Sequence, residues 1–518
     1  MRGQIYRCGL VISLSVMSIA GSAQEPPVNM HMRARWPSSV PCADVWGDGH
    51  FLFGAHYQRG GGPAQITILD ILNPDAPVLA SIYFIPPPGN QSGPEDVQAS
   101  NGLLFTGNET VASGSDGAFV ADVRNPYNPR YLGNIDVPNF RRVHTLSYDP
   151  DSRFLYLANS RRPEFAVIDL RWLTPDMPPF GTITSPTWHV QNVGSSFVHE
   201  VYARNGRLYA AAWDSGVWVY DVSDVANSPP RLLGFAPGNS THSAVPSEDG
   251  RFIVTAEEFT GGGIKLYEAT PNGQGGLNIL LRDSFTISTS RATSAHQPFI
   301  KGNRVYVSWY EAGVQVFEIN RDTKRLEWVA SFDTSPYTGA TGYNGCWSVY
   351  PYLGDDRILV GDIQTGFWIL ALEVPTVVGT VQVAGLTRNP TGLALTVEFH
   401  RPVDGQLVAT YSVVPESDGH YRLEDVRRGT YDVIVRAPGL LCTRANGQTF
   451  AYGQVTTLNL TLRAGDVNED GHIDDADLLQ VLFAFGQTGS NLPEDLDRNG
   501  TVDDADLLAV LFNFGSGC

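Results

Sequence analysis

The chain has 518 residues, with 35 basic against 54 acidic side chains and a formal net charge of −19. One hydrophobic core rarely grows past about 250–300 residues, so this length asks for more than one domain. With 42% hydrophobic and 17% charged residues the chain is globular; 53 Gly and 34 Pro favour short strands and turns, and the acidic balance disfavours nucleic acid or an anionic membrane as partner.

Residues 1–23 carry Arg2 and Arg7, an apolar run over 10–19, and then Ala20, Gly21, Ser22 and Ala23. This is the pattern of a secretory signal peptide, too short for a membrane anchor. The mature protein is therefore expected to be secreted or held at the cell surface, monomeric and without membrane insertion. Export leaves Cys42, Cys346, Cys442 and Cys518 where disulfides persist.

Strand-like runs ending in an acid then recur: Ile66-Thr67-Ile68-Leu69-Asp70, Ala118-Phe119-Val120-Ala121-Asp122, Phe165-Ala166-Val167-Ile168-Asp169, Val217-Trp218-Val219-Tyr220-Asp221, Ile264-Lys265-Leu266-Tyr267-Glu268 and Val314-Gln315-Val316-Phe317-Glu318. A seventh, Phe367-Trp368-Ile369-Leu370, lacks the acid. The spacing of 47 to 52 residues, with no helical stretch between, is the period of a seven-bladed β-propeller over residues 24–374. The runs resemble the LVIVD-repeat family of secreted and cell-surface propellers over residues 28–372, a likeness that implies a fold and no reaction.

The seventh unit runs straight from its third strand into Glu373-Val374-Pro375, so residues 28–36 are expected to return as its outer strand and close the ring. Cys42 lies three residues before Val45 and Cys346 three before Val349, equivalent positions on blades that meet on closure. This points to a Cys42–Cys346 disulfide.

His144, His199, His242 and His296 each stand two residues before the aligned apolar position (Pro298 in the last case) of a first strand, which places four imidazoles at one height around the channel. The second strands end in Glu109, Asp214, Glu257, Glu258, Glu311 and Asp362, on the same face. Such a set suits zinc, copper or iron, or acid–base work; it equally suits hydrogen bonding between blades. There is no nucleophile elbow, no His-Glu-x-x-His and no phosphate loop. The tryptophans at 188, 213, 218, 309, 328, 347 and 368 read chiefly as core.

Residues 375–463 change pattern, with alternating strands over 377–383, 393–399, 419–423, 429–435 and 455–462. They are similar to transthyretin-like, carboxypeptidase-regulatory-like sandwiches, which implies a spacer.

Residues 464–518 hold a second repeat of 29 residues, with Asp466, Asn468, Asp470, His472, Asp474 and Asp477 matched by Asp495, Asp497, Asn499, Thr501, Asp503 and Asp506. These are positions 1, 3, 5, 7, 9 and 12 of a calcium loop, with Gly471 and Gly500 at the turn, and two Ca²⁺ ions are expected. Ten Asp and two Glu against one Arg from Gly465 onward give −11, more than half the excess charge, which is thereby read as metal ligands. Each loop opens an apolar helix, 475–485 and 504–514, with no helix before it. Loop then helix, twice, resembles a type I dockerin, a small α-helical module that implies calcium-dependent docking on a cohesin-like or other cell-surface protein. Asp475-Ala476 and Asp504-Ala505 occupy the positions that family uses for partner choice and replace its common hydroxyl pair. Cys442 and Cys518 are left to clasp this tail to the sandwich.

The whole reads as a secreted binding protein, with a propeller for recognition and a calcium module for attachment. The alternative is a metal-dependent propeller enzyme, resembling propeller lactonases or copper-dependent oxidases, with its site at the His/carboxylate mouth.

Overall fold

The computed structural model describes residues 25–518 except 57–63, 87–92, 109–116, 138–139, 141–142, 185, 288–293, 336–342, 391 and 491; the segment read as a signal peptide lies outside the described residues. Seven sheets follow one another along residues 30–372 and form the blades of a propeller, six of four strands and one of five. Blade three shows the plan. Leu146–Asp149, Phe154–Ala158, Glu164–Asp169 and Trp188–Gln191 pair antiparallel in chain order, innermost first. Blades stack face to face, so both faces of the middle strands are covered. Hence Phe154–Ala158 is buried throughout and reads as a continuous apolar run, without alternation. The recurrent acid has a local cause: Asp70, Asp122, Asp169 and Asp221 each accept the backbone N–H two residues on, at 2.9 to 3.1 Å, and so hold the turn that leaves the third strand.

Closure is made by the N-terminus. Met30–Trp36 pairs antiparallel with Gly366–Leu372, the third strand of blade seven, and the first strand of blade seven, Cys346–Tyr350, packs beside Cys42–Asp48 of blade one. Blade two gains a fifth strand, Gly181–Ile183, which runs parallel to Arg130–Ile135 and comes from the connection between the last two strands of blade three. Phe180 seats that detour over Gly133, where a Cβ would come within 2.3 Å of its ring.

The expected Cys42–Cys346 bond is not formed; both residues are buried thiols. Rotational equivalence is the reason. Cys346 packs with Phe299, Tyr306 and Val314 of blade six, whereas Cys42 packs with Tyr350, Leu359 and Ile369 of blade seven. Equivalent positions in a ring point the same way round it, so each thiol faces the preceding blade and not the other. The bond that forms is Cys442–Cys518, with Cα atoms 5.5 Å apart, and it suits a compartment outside the cytoplasm.

Residues 376–466 build an eight-stranded sheet in which Leu407–Val413, Leu395–His400, Gly429–Ala437, Gly439–Phe450, Leu460–Asp466, Thr376–Ala384 and His420–Leu423 lie in that order and Val455–Thr457 joins Thr376–Ala384. The strands at 407–413 and 439–450 escape the alternation rule: the first is nowhere fully buried, and the second carries the apolar run Leu440-Leu441-Cys442 followed by a polar half. Two short helices follow, α1 (Asp475–Ala484) and α2 (Asp504–Asn513). Val467, Ile473, Val481, Leu496, Val502, Ala509 and Val510 share one hydrophobic core with the sheet residues Val383, Leu441 and Leu462. Asn513 Nδ2 donates to the carbonyls of Ala384 and Ala464, so sheet and tail are a packed unit. This unit meets blade six through ion pairs of Arg304 with Asp425 and of Arg428 with Glu318 and Glu327. No helix among the described residues is long and apolar enough to cross a membrane.

Candidate functional site

At one end of the propeller axis the position two residues before each inner-strand apolar site forms a ring. In blade order it is Ala43, Glu95, His144, His199, His242, His296 and Trp347. The four imidazoles pack against one another around it, the first pair edge to face and the next two tilted, with neighbouring ring centroids 4.2, 3.9 and 4.1 Å apart, and each is less than a tenth exposed. One nitrogen each from His144, His199 and His242 lies within 4.8 Å of the others. The same holds for a nitrogen of His242, one of His296 and a carboxylate oxygen of Glu258.

Hydrogen bonds engage the Nδ1 side of two of the rings. His296 Nδ1 donates to the carbonyl of Trp347 at 2.5 Å. Ser243 Oγ lies 2.6 Å from both Glu200 Oε2 and His242 Nδ1, so the Nδ1 side of that ring is engaged. His242 Nε2 lies 3.8 Å from Glu258 Oε2, which is itself oriented by Tyr310 OH donating to Oε1 at 2.6 Å. His144 Nδ1 is 3.3 Å from Glu95 Oε2, and His199 lies flat on Trp213. Burial holds the His242 imidazole far below its usual range, and brings His296 down to about 3, so both rings are neutral near pH 7.

The next residue along each inner strand does different work. Asp44 Oδ2 accepts Val97 N at 3.1 Å, Asp96 accepts Leu146 N, Thr145 Oγ1 donates to the His199 carbonyl at 3.0 Å, Ser243 Oγ reaches the His296 carbonyl at 3.1 Å, and Ser348 Oγ donates to Asp44. These bonds staple five of the seven neighbouring blade pairs, while the Ser243–Glu200 contact joins blades four and five and the His296–Trp347 bond joins six and seven. Asp44 and Asp96 are hydrogen-bonded to each other, and burial raises both carboxyls, so the pair holds a proton; burial likewise pushes Glu200 up to about 8. A chamber of about 20 Å³, the room of one water, lies among these acids beneath the histidines. Above them opens a cavity of about 200 Å³ walled by Phe197, Trp213, Trp347, Arg161 and Glu258.

All four expected histidines therefore meet, and of the expected carboxylates Glu258 joins them while Asp214, Glu257, Glu311 and Asp362 do not. Glu109 lies outside the described residues. Asp214 is exposed and accepts Ser240 N at 3.1 Å, Glu257 is held by Lys265 of its own blade, and Glu311, wholly buried, does not line the cavity. Asp362 accepts Thr334 Oγ1 and the N–H groups of Gln364 and Thr365. The second strand lies one spacing, about 4.8 Å, farther from the axis than the first, and its terminal acids are consumed in turns. Of the described second-strand acids only Glu258, one residue beyond Glu257, reaches the imidazoles. Glu95 and Trp347 were findable by the alignment that found the histidines, since they precede Val97 and Val349 by two residues.

In the tail, one carboxylate oxygen each from Asp495, Asp497 and Asp506 lies within 4.8 Å of the others. Asp506 Oδ1 accepts Leu496 N and Asp497 N while Oδ2 accepts Asp503 N, and Asp477 repeats these bonds with Val467, Asn468 and Asp474. Asp466 Oδ1 is buried without a hydrogen-bond partner among the described residues. Converging carboxylates and an orphaned oxygen fit a hard cation with an oxygen shell. Asp474 and Asp503 also cap α1 and α2 in capping boxes. On the outer faces Leu479, Leu482, Phe483 and Phe485 are exposed, as are their 29-residue equivalents Leu508, Leu511, Phe512 and Phe514; Phe483 and Phe512 are 83% and 76% accessible.

No family model and no curated protein matches the chain. Among solved structures it is similar to a type II cohesin–X–dockerin complex of Acetivibrio cellulolyticus, at 25% identity over 27% of this chain and 96% of that one, with a TM-score of 0.23. It is also similar to the periplasmic gluconolactonase of Pseudomonas aeruginosa, at 16% identity over 73% of this chain and 100% of that one, with a TM-score of 0.46.

Proposed function

We propose that the protein is an exported binding protein in which the C-terminal tail docks, in its calcium-loaded form, on a cohesin-like surface or scaffold protein while the propeller presents its mouth for recognition. The observation that carries this reading is the duplicated exposed apolar face of α1 and α2. Eight large apolar side chains at matched positions stay in solvent although a shared core with the sheet lies on the opposite sides of the same helices. Such contiguous exposure is costly unless a partner covers it. The acidic loops support the metal half of the reading: Asp466, Asn468, Asp470, Asp474 and Asp477, with the His472 carbonyl, would hold one Ca²⁺, and Asp495, Asp497, Asn499, Asp503 and Asp506, with the Thr501 carbonyl, the other. Calcium supplies charge neutralisation there and fixes the N-termini of both helices. Equivalence of the two faces would let the partner bind in either of two orientations.

The test uses the full chain on immobilised cohesin modules, in millimolar calcium and in EDTA. Binding is expected in calcium alone, and F483D/F512D is expected to lose it. Calcium-independent binding, or none to any cohesin module, sinks the reading.

A further inference from the structure

The histidine ring is a different kind of site from the tail. A purely structural role for four inner-strand histidines would be to bridge blades at the crowded axis. Most of that task is performed one residue later along the same strands, by Asp44, Asp96, Thr145, Ser243 and Ser348, with His296 adding the bond from blade six to the Trp347 carbonyl of blade seven. Nor is the ring symmetric: it passes from Ala43 and Glu95 through four imidazoles to Trp347. The bonds that His242 and His296 do make engage Nδ1, and the other nitrogen of His242 lies 3.8 Å from Glu258 Oε2, the way a metal-binding imidazole is fixed from behind.

We propose that the propeller mouth binds one divalent transition-metal ion of the zinc and copper class, through His242 and either the His144–His199 side or the His296–Glu258 side of the ring. Three imidazoles, or two imidazoles and a carboxylate, are ligand sets that keep a fourth position open. Here that position faces the cavity of about 200 Å³, whose Phe197, Trp213 and Trp347 walls and Arg161 rim suit a small molecule carrying an anionic or carbonyl oxygen, a ligand that would complete the metal's shell. The soft-to-borderline nitrogen donors select against Ca²⁺ and Mg²⁺, which separates this site from the all-oxygen loops of the tail.

The experiment uses the full chain, stripped with a chelator and reloaded with calcium so that the tail is occupied, then titrated with Zn²⁺ against a chromophoric competitor and with Co²⁺ for its visible absorption. One equivalent is expected to bind, with the Co²⁺ spectrum of a nitrogen-ligated site. H199A/H242A should lose at least about 100-fold in affinity. Ser243→Ala, a small change behind His242, should lose about 10-fold, and D477N/D506N in the tail should lower the calcium bound but leave the Zn²⁺ affinity as it is. Uptake below about 0.1 equivalent by the wild-type chain overturns the proposal whether or not the variants fold. So does uptake that survives H199A/H242A, or that disappears in D477N/D506N. Docking through the tail is read separately on cohesin, so failure of one leaves the other standing.

Discussion

Cys518, the last residue, is bonded to Cys442 on the strand Gly439–Phe450, across a separation of 76 residues. The bond pins the end of the tail to the sheet beside the shared core, and closing a loop of that length removes roughly 4 kcal/mol of unfolded-state entropy at most. Cys518→Ser should lower the melting temperature of the sheet–tail unit and speed proteolysis after α2, while the propeller transition stays in place. Calorimetry under reducing and non-reducing conditions checks this, and an unchanged lower transition would contradict it.

Calcium should stabilise the tail by mass action, by about 2.7 kcal/mol at a hundredfold excess over Kd. EDTA is expected to melt α1 and α2 first, because Asp477 and Asp506 then retain their backbone N–H bonds but lose the cation that offsets neighbouring carboxylates. Asp506→Asn should halve the calcium bound, from two equivalents to one, by direct titration. A variant that still binds two would place the ligands elsewhere.

Glu268 lies within the third strand of blade five, Ile264–Pro271, 2% exposed, where Lys324, Arg251 and Arg282 donate to it at 2.7 to 2.8 Å. Lys324 foremost, with the two arginines, holds its carboxyl down at about 2. A depressed carboxylate contributes stability above its unfolded value of about 4.3 and loses it as pH falls toward the folded value. Glu268→Gln should therefore cost about 2 kcal/mol at neutral pH, allowing for the solvent-exposed cations, and should flatten the loss of stability between pH 4.5 and 2. Urea titrations across that window decide; an identical pH slope in the variant would remove Glu268 from the account.

Much of the propeller is legible because its physics is local. A third strand buried on both faces must be apolar throughout, and the acid at its end must hold a turn, so runs such as Phe165–Asp169 repeat visibly. The four histidines were legible for the same reason, as one position of a repeated strand. What the period does not carry is direction. Cys42 and Cys346 occupy equivalent places and were paired by proximity, yet rotation sends each toward its own preceding blade. Glu257 and Glu258 are adjacent in sequence, but one meets Lys265 and the other faces the imidazoles, a choice made by the twist of a strand end. Gly439–Phe450 was missed because half of it is solvent-facing, so no alternation marks it.

Ring closure is the last relationship open to a direct test. Gly366–Leu372 is buried along its whole length, and its outer edge is paired with Met30–Trp36, which adds the Arg35 Nε bond to the Thr365 carbonyl at 2.8 Å and the Arg33–Asp75 pair to blade one. Removing residues 25–36 would bare a long apolar edge with unpaired backbone groups, the geometry that recruits a strand from another molecule. The truncated chain is expected to elute as dimers or larger species, with the propeller melting several degrees lower. Supplying a peptide of residues 28–37 in trans should restore the monomer, since its backbone and Arg35 can reoccupy the edge. A truncated chain that stays monomeric and melts like the full one would mean that blade seven is held by its contacts with blades one and six, without need of the returning strand.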